Sequence, residues 1–291
     1  MTKRSREEWE KTLFVSDLDG TLLNVHDAVS PETVRIINGL AERGMHFTYA
    51  TARSYESASR VSRGLTERLP VIVNNGTFIM DGSTGNRLLK LEFTPQQQRF
   101  VRNLLERHGV FALVYGFVDG RERVSWLTQH ENEWMRYYLD NRKGDRRLRP
   151  VTEPGELYRG NAFYFTCIGT PEELRPVWEE VRENPEFTCT FQQELYRTEY
   201  WLELMPREAT KANAARKLCA LLGCDRLVAF GDAVNDLPLF EAADEAYAVG
   251  NAVELVRNAA TGVIGDNGSD GVARWLLARA RECGVDLAGE A

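Results

Sequence analysis

Leu13-Phe14-Val15-Ser16-Asp17-Leu18-Asp19-Gly20-Thr21 is the stretch on which the reading of the fold turns. Leu13 to Ser16 is a short apolar run suited to a buried strand. Leu18 can point back into a core while Asp17 and Asp19 leave the strand end together, and Gly20 lets the backbone turn with positive φ. By itself, D-x-D-G serves equally as a turn in which Asp19 caps the bend. The apolar strand in front of it gives it another meaning, because in open parallel sheets ligands bind outside the carboxyl ends of the strands.

Working outward, the first 85 residues alternate strands and helices. Pro31 to Arg43 carries Val34, Ile37, Leu40 and Ala41 at helical spacing, opened by Ser30 with proline at the first helical position and stopped at Gly44. Met45 to Ala50 is a second strand, Ser54 to Leu65 a helix, and Val71 to Val73 a third strand. Such alternation predicts right-handed βαβ units and a parallel sheet. The rhythm then changes. Phe78 to Phe93 reads as a hairpin around Asp81–Gly85. Helix Pro95–His108, strands Val110–Phe117 and Arg123–Thr128, helix Glu131–Asn141, a basic loop, strand Ala162–Ile168, helix Pro171–Glu183 and two strands up to Met205 follow in α+β order. Most of the aromatic residues fall here. After Pro206 the α/β alternation returns: a helix Lys211–Leu222 capped by Thr210, strand Leu227–Phe230, helix Leu237–Ala243, strand Ala246–Val249, helix Val253–Ala259, strand Val263–Ile264 and a closing helix Gly271–Glu282. The expected architecture is an α/β fold, with a Rossmann-like parallel-sheet core from residues 1–92 and 206–291 and an inserted α+β domain, 93–205.

Composition narrows the function classes. The chain has 291 residues, with 36 basic and 43 acidic side chains and a formal net charge of −7, which gives no global electrostatic reason to bind nucleic acid or an anionic membrane. No apolar run approaches the roughly 20 residues of a membrane helix, and Met1 to Lys11 lacks the apolar segment of a secretory signal. Four scattered histidines and five cysteines without a C-x-x-C pair make a nitrogen- or sulfur-ligated metal site improbable and fit a reduced, cytoplasmic protein with mostly buried thiols. Any metal is expected to be held by oxygen.

The strand ends carry the polar residues. Asp17-Leu18-Asp19-Gly20-Thr21 follows the first strand, Thr51-Ala52-Arg53 the second, and Gly231-Asp232-Ala233-Val234-Asn235-Asp236 the strand Leu227–Phe230. Lys211 opens a helix and can join them; in isolation it reads as a surface lysine. Asp236, before Leu237-Pro238, reads equally as an ordinary N-cap, whereas Asp232 ends a buried strand with no turn to satisfy. Four aspartates on one edge would repel one another and raise some of their pKa values. A divalent cation relieves that, and oxygen ligands with few protein donors suit Mg²⁺. A magnesium ion beside an aspartate, a lysine and a helix N-terminus is a site for a phosphoryl group.

In these residues the sequence resembles the haloacid dehalogenase-like superfamily of phosphatases: Asp17 to Thr21, then Thr51, then Lys211, then Gly231 to Asp236, in the family's order. The insert looks like a C2-type cap. With Asn75-Gly76, Gly250-Asn251-Ala252 and Asp270-Gly271-Val272, it is most similar to the Cof-type branch of sugar-phosphate phosphatases. The resemblance implies Asp17 as nucleophile, forming an aspartyl-phosphate, and Asp19 as general acid and then base. It implies Mg²⁺ held by the Asp17 and Asp232 carboxylates and the Asp19 carbonyl. Thr51 and the amides of Ala52 and Arg53 would bind phosphoryl oxygens, Lys211 would pair with Asp17 and the phosphate, Asn235 would touch the phosphate, and Asp236 would orient Lys211 or a metal-bound water. The branch more often has glycine where Ala52 stands; alanine keeps the amide donor, so activity is expected to survive. The implied reaction is hydrolysis of a small phosphorylated metabolite, a sugar phosphate or nucleotide-like cofactor, by a monomer. A C2-capped phosphomutase and a non-catalytic binding protein of the same fold are the alternatives.

The insert is expected to close over the site and choose the substrate. Trp126, His130, Tyr196, Arg197, Trp201 and Glu203 are candidate contacts, although aromatics in so small a domain mostly build its core. Arg142, Lys143, Arg146, Arg147 and Arg149 form a basic run whose favoured reading is a solvated loop, with anion binding as the alternative. Arg53, adjoining the site, is the better specificity candidate.

Overall fold

Thr12–Ser16, buried at every position, forms the first strand (β1) of the computed structural model, which describes residues 5–66, 68–193 and 197–287. Burying each of Leu13, Phe14 and Val15 stabilises the fold by about 1.5–3 kcal/mol. A short helix, α1 (Arg6–Glu10), precedes it. After an irregular turn at Leu18–Leu22 comes α2 (Pro31–Ala41), opened by Ser30, whose hydroxyl accepts the Thr33 N–H at 3.0 Å, and buried through Ile36, Ile37 and Leu40. Then follow β2 (His46–Tyr49), α3 (Tyr55–Val61), β3 (Val71–Val73), β4 (Phe78–Met80) and β5 (Arg87–Lys90). The middle of the chain supplies α4 (Pro95–His108), β6 (Leu113–Val118), β7 (Arg121–Leu127), α5 (Glu133–Asp140), β8 (Leu148–Val151), α6 (Pro154–Leu157), β9 (Asn161–Gly169), α7 (Pro171–Val181), β10 (Phe187–Gln193) and β11 (Tyr200–Pro206). The last stretch gives α8 (Lys211–Leu221), β12 (Arg226–Gly231), α9 (Leu237–Ala242), β13 (Glu245–Ala248), α10 (Glu254–Ala259), β14 (Gly262–Val263) and α11 (Gly271–Glu282).

These elements form two compact units, one from the residues up to Lys90 together with those from Thr210, the other from Leu91–Ala209. The first is built on a wholly parallel sheet of order β14-β13-β12-β1-β2. The chain moves from β1 to β2 on one side and returns as β12 on the other, so the strand order reverses between β1 and β12. A crevice for a ligand opens at such a reversal. The third strand expected in this sheet meets it only at one parallel bridge, Ala50–Ile72; β3 otherwise pairs antiparallel with β4, and β4 with β5. The reversal comes from Asn74-Asn75-Gly76, all three in the left-handed region.

The second unit carries a six-stranded sheet of order β10-β11-β9-β6-β7-β8, antiparallel except for the parallel β7–β8 pair. α4 and α7 share its core with Phe93, Phe165 and Phe187; the Phe93 ring lies 5.2 Å from that of Phe165 and 5.9 Å from that of Phe187. The basic run is the solvated loop expected only in part. Arg147 is paired with Glu122 and Asp145, Arg149 belongs to β8 and pairs with Glu156, and Arg142 lies 3.6 Å from the Tyr138 ring centroid. Only Arg142, Lys143 and Arg146 of the five are exposed. The thiols are less buried than expected: Cys167 and Cys283 are interior, while Cys189, Cys219 and Cys224 are half-buried. Among the described residues no helix is long and apolar enough to cross a membrane.

Candidate active site

The site begins where β1 ends. The Asp17 N–H donates to the Phe230 carbonyl at 2.9 Å, extending the β1–β12 ladder by one rung and placing the Asp17 side chain at the reversal point. There the Lys211 ammonium, at the start of α8, donates to Asp17 Oδ1 at 2.5 Å and to Asp236 Oδ1 at 2.8 Å. All three groups are buried, so Lys211 is not a surface lysine. Burial alone would drive its ammonium towards neutrality; the Asp17 and Asp236 charges outweigh that and hold it protonated. For Asp17, burial is the largest influence and pushes the carboxyl up, against the pull of Lys211.

Asp236 does not cap α9 with its side chain. Its Oδ2 turns back to accept the N–H groups of Asp232 and Ala233, both at 3.2 Å. The motif thus folds on itself and fixes Asp232 after β12. Asp232 is half-buried, accepts the Thr21 hydroxyl at 3.0 Å, and has its pKa pushed up to about 6, by burial first and then by the Asp236 charge. Gly20 is required beside it: φ is +74°, and a Cβ there would sit 2.4 Å from Asp232 Oδ2.

Carboxylate oxygens of Asp17, Asp232 and Asp236 lie within 4.8 Å of one another. Both Asp236 oxygens are committed, whereas Asp17 and Asp232 each use one oxygen, towards Lys211 and Thr21. The donor set therefore fits a small hard cation, with Asp17 and Asp232 as its side-chain ligands.

The second motif is arranged differently from expectation. Thr51 is fully buried, and its Oγ1 accepts the Arg53 N–H at 3.1 Å, so that amide is already engaged. The Ala52 N–H, among the described residues, is not. The Arg53 guanidinium binds Asp19, with Nε 2.9 Å from Oδ2 and Nη2 2.5 Å from Oδ1, leaving the Asp19 side chain half-exposed and held by its neighbour. Asn235 is exposed in the Val234–Asp236 turn and makes no side-chain hydrogen bond to the other site residues. Of the other candidate contacts, Trp126 donates to Glu131 at 2.6 Å, His130 stacks 3.6 Å from Phe111, Arg197 pairs with Glu199, Trp201 packs against Tyr138, and Glu203 accepts the Thr190 hydroxyl. Tyr196 lies outside the described residues.

Three residues given no individual role by the sequence support the site. Thr21 orients Asp232. Asn251 donates to the Gly20 carbonyl at 2.7 Å and accepts the Asn267 N–H at 3.0 Å, bracing the Asp19–Gly20 turn. Thr21 and Asp232, and Asn251 and Gly20, stand over two hundred residues apart, so no local spacing reveals those pairs. Gly76 lets the β3–β4 turn meet α8: φ is +92°, and a Cβ would lie 2.1 Å from the Thr210 carbonyl oxygen. The preceding Asn75 donates its N–H to the Thr51 carbonyl at 2.9 Å, so one turn ties the Thr51 loop to the helix that carries Lys211. Gly76→Ala is therefore expected to destabilise the protein by more than about 2 kcal/mol. Urea titration checks this; a loss under about 0.5 kcal/mol, the size of a neutral surface change, would contradict it.

The sequence profile of the haloacid dehalogenase-like hydrolases matches residues 14–276. A 5-amino-6-(5-phospho-D-ribitylamino)uracil phosphatase of Bacillus subtilis, YcsE, is 25% identical over 280 residues, covering 94% of this chain and 98% of its own. YitU, of the same organism and described by the same activity, is 25% identical, covering 92% and 97%. The crystal structure of TM0651 from Thermotoga maritima superposes with a TM-score of 0.71 at 26% identity, covering 91% of this chain and 96% of that one. With a profile match spanning most of its length and this fold, the chain belongs to the haloacid dehalogenase-like hydrolase family.

Proposed function

We propose that this chain is a Mg²⁺-dependent phosphatase that hydrolyses a small phosphorylated metabolite through an aspartyl-phosphate on Asp17. That it is a phosphatase is supported by the family match and by relatives of nearly equal length described as phosphatases. The observation that carries the mechanism is the buried Asp17–Lys211–Asp236 triad at the strand reversal, because it presents a carboxylate to the crevice with its charge balanced by a fixed ammonium. One Asp17 oxygen attacks phosphorus, the bond to the leaving oxygen breaks, and Asp19 gives that oxygen its proton. Asp19 then takes a proton from water as the water attacks phosphorus, restoring the Asp17 carboxylate and releasing inorganic phosphate. Thr51, the Ala52 amide and Lys211 hold phosphoryl oxygens, with Asn235 at the rim. Asp17, Asp232 and the Asp19 carbonyl would hold Mg²⁺, which would supply positive charge against the phosphoryl oxygens.

The relatives' names make a ribityl phosphate the first substrate to try. Phosphate release should be measured over a panel of 5-amino-6-(5-phospho-D-ribitylamino)uracil, sugar phosphates and nucleotides. Release is expected with Mg²⁺ and no bisphosphate activator, falling to background with EDTA and returning when Mg²⁺ is restored. Release indifferent to EDTA would refute the metal dependence, and an absolute need for a bisphosphate would favour the mutase.

The Arg53 guanidinium, bound to Asp19 here, also adjoins the site, and we propose it as a further ligand of the phosphoryl group. In this reading the incoming dianion draws the guanidinium away and frees Asp19. Arg53→Ala is then expected to raise KM about tenfold, with a smaller change in kcat. An unchanged KM with kcat and kcat/KM falling together would assign Arg53 to Asp19 alone.

A further inference from the structure

We infer that the inserted unit carries a second anion site, a hollow at the β7–β8 end of its sheet that takes the phosphate dianion of a small molecule. The hollow has a volume of about 490 Å³, and Arg121, Arg123 and Arg149 line it with the backbone of Leu148–Pro150. That size suits a small organic phosphate. Arg121 and Arg123 stand two apart on β7 and so share a face. Arg149 pairs in register with Ser125, which puts it on the same face one step further along. Three guanidinium groups thus gather in a chain whose net charge is −7.

The charges there do not cancel. Among the described residues Asp119 is the one carboxylate lining the hollow, and Arg159 binds both its oxygens, at 3.0 and 3.2 Å. Glu156 takes Arg149, which also donates to the Glu156 carbonyl at 2.8 Å and to the Ser125 hydroxyl at 3.3 Å. Arg123 donates Nη1 to the Arg146 carbonyl at 2.5 Å, which steadies its guanidinium without neutralising it. Among the described residues no carboxylate pairs with Arg121 or Arg123. Two guanidinium groups on one face repel, and one held by a carbonyl still presents its other N–H donors to an oxyanion in the paired geometry that arginine favours. The basic run and the β7 hairpin, separate in sequence, meet at this hollow.

The test is calorimetric titration of inorganic phosphate, and separately of glycerol phosphate, into the full chain at about 0.15 M salt. Arg121→Ala/Arg123→Ala and Thr51→Val are titrated in parallel. Two classes of phosphate site are expected in the wild type. The double arginine variant should lose one class, weakened about tenfold or more, and keep its turnover of phosphomonoester. Thr51→Val should weaken the other class. Binding of both phosphates identifies the free ion as sufficient, and binding of glycerol phosphate alone identifies a monoester; both support the site. Unchanged stoichiometry and affinity in the double variant, or equal displacement of phosphate by chloride at matched ionic strength, would overturn it. The loss of the arginine-dependent class is read by binding alone, so that outcome stands or falls separately from the proposed hydrolysis, which the Thr51→Val and turnover arms report on.

Discussion

Asp17→Asn is expected to lower phosphate release by about 10⁴-fold or more while the protein stays folded. Asparagine has nearly the same shape, and its carbonyl oxygen can still accept from Lys211, which keeps its second partner Asp236 at 2.8 Å. The amide cannot displace a leaving group from phosphorus to give an acyl phosphate, and removal of a nucleophile is among the costliest single changes an enzyme suffers. Asp17 is also one of the two side chains suited to the cation, so loss of its charge weakens the metal site as well. The measurement is phosphate release by wild type and variant under identical conditions, with circular dichroism of both. A folded variant with more than about a tenth of wild-type activity would contradict the assignment.

Lys211→Met is expected to be the most destabilising substitution at the site. It keeps the length and apolar stem of the side chain but leaves Asp17 and Asp236 buried without their shared cation. Breaking a buried ion pair from one side typically costs about 3–5 kcal/mol. The pH dependence follows from the direction of the shifts. Burial raises the folded-state pKa of Asp17 even with Lys211 in place, and that of Asp232 to about 6. A carboxyl whose folded pKa lies above its unfolded value, about 3.9, imposes no penalty below that value. The penalty then grows as pH rises towards the folded pKa. Removing the ammonium raises those folded values further, so the stability gap between variant and wild type should be wider at pH 7.5 than at pH 5. Urea titrations at the two pH values test this. A gap that is constant or wider at pH 5 would mean that the triad is not held by charge.

Much of this was legible in the chain. The strand β1, the caps at Ser30 and Thr210 and the α/β–α+β–α/β order follow from local rules, apolar run length, N-cap chemistry and spacing, which neighbouring residues obey wherever the chain goes. β8 escaped because Arg149 and Pro150 lie within it; proline is tolerated there because β8 is the edge of its sheet, where a missing donor leaves no ladder bond unmade. Asp236 looked like a cap because its neighbours Leu237-Pro238 begin a helix. Its carboxylate instead reaches back to two amides and to a lysine 25 residues earlier. The pairing of Arg53 with Asp19 and the bond from Asn251 to Gly20 depend on which strands become neighbours. That is a property of sheet order, which spacing along the chain does not encode.

The proposed mechanism requires Asp17 to become covalently phosphorylated. The most direct measurement is to quench the enzyme with borohydride during turnover of a phosphomonoester and map its peptides by mass spectrometry. Borohydride reduces an acyl phosphate, so position 17 should appear as homoserine, only when substrate and Mg²⁺ are both present, and never in Asp17→Asn. Active turnover with residue 17 unmodified, or with the reduced residue at another carboxylate, would contradict it.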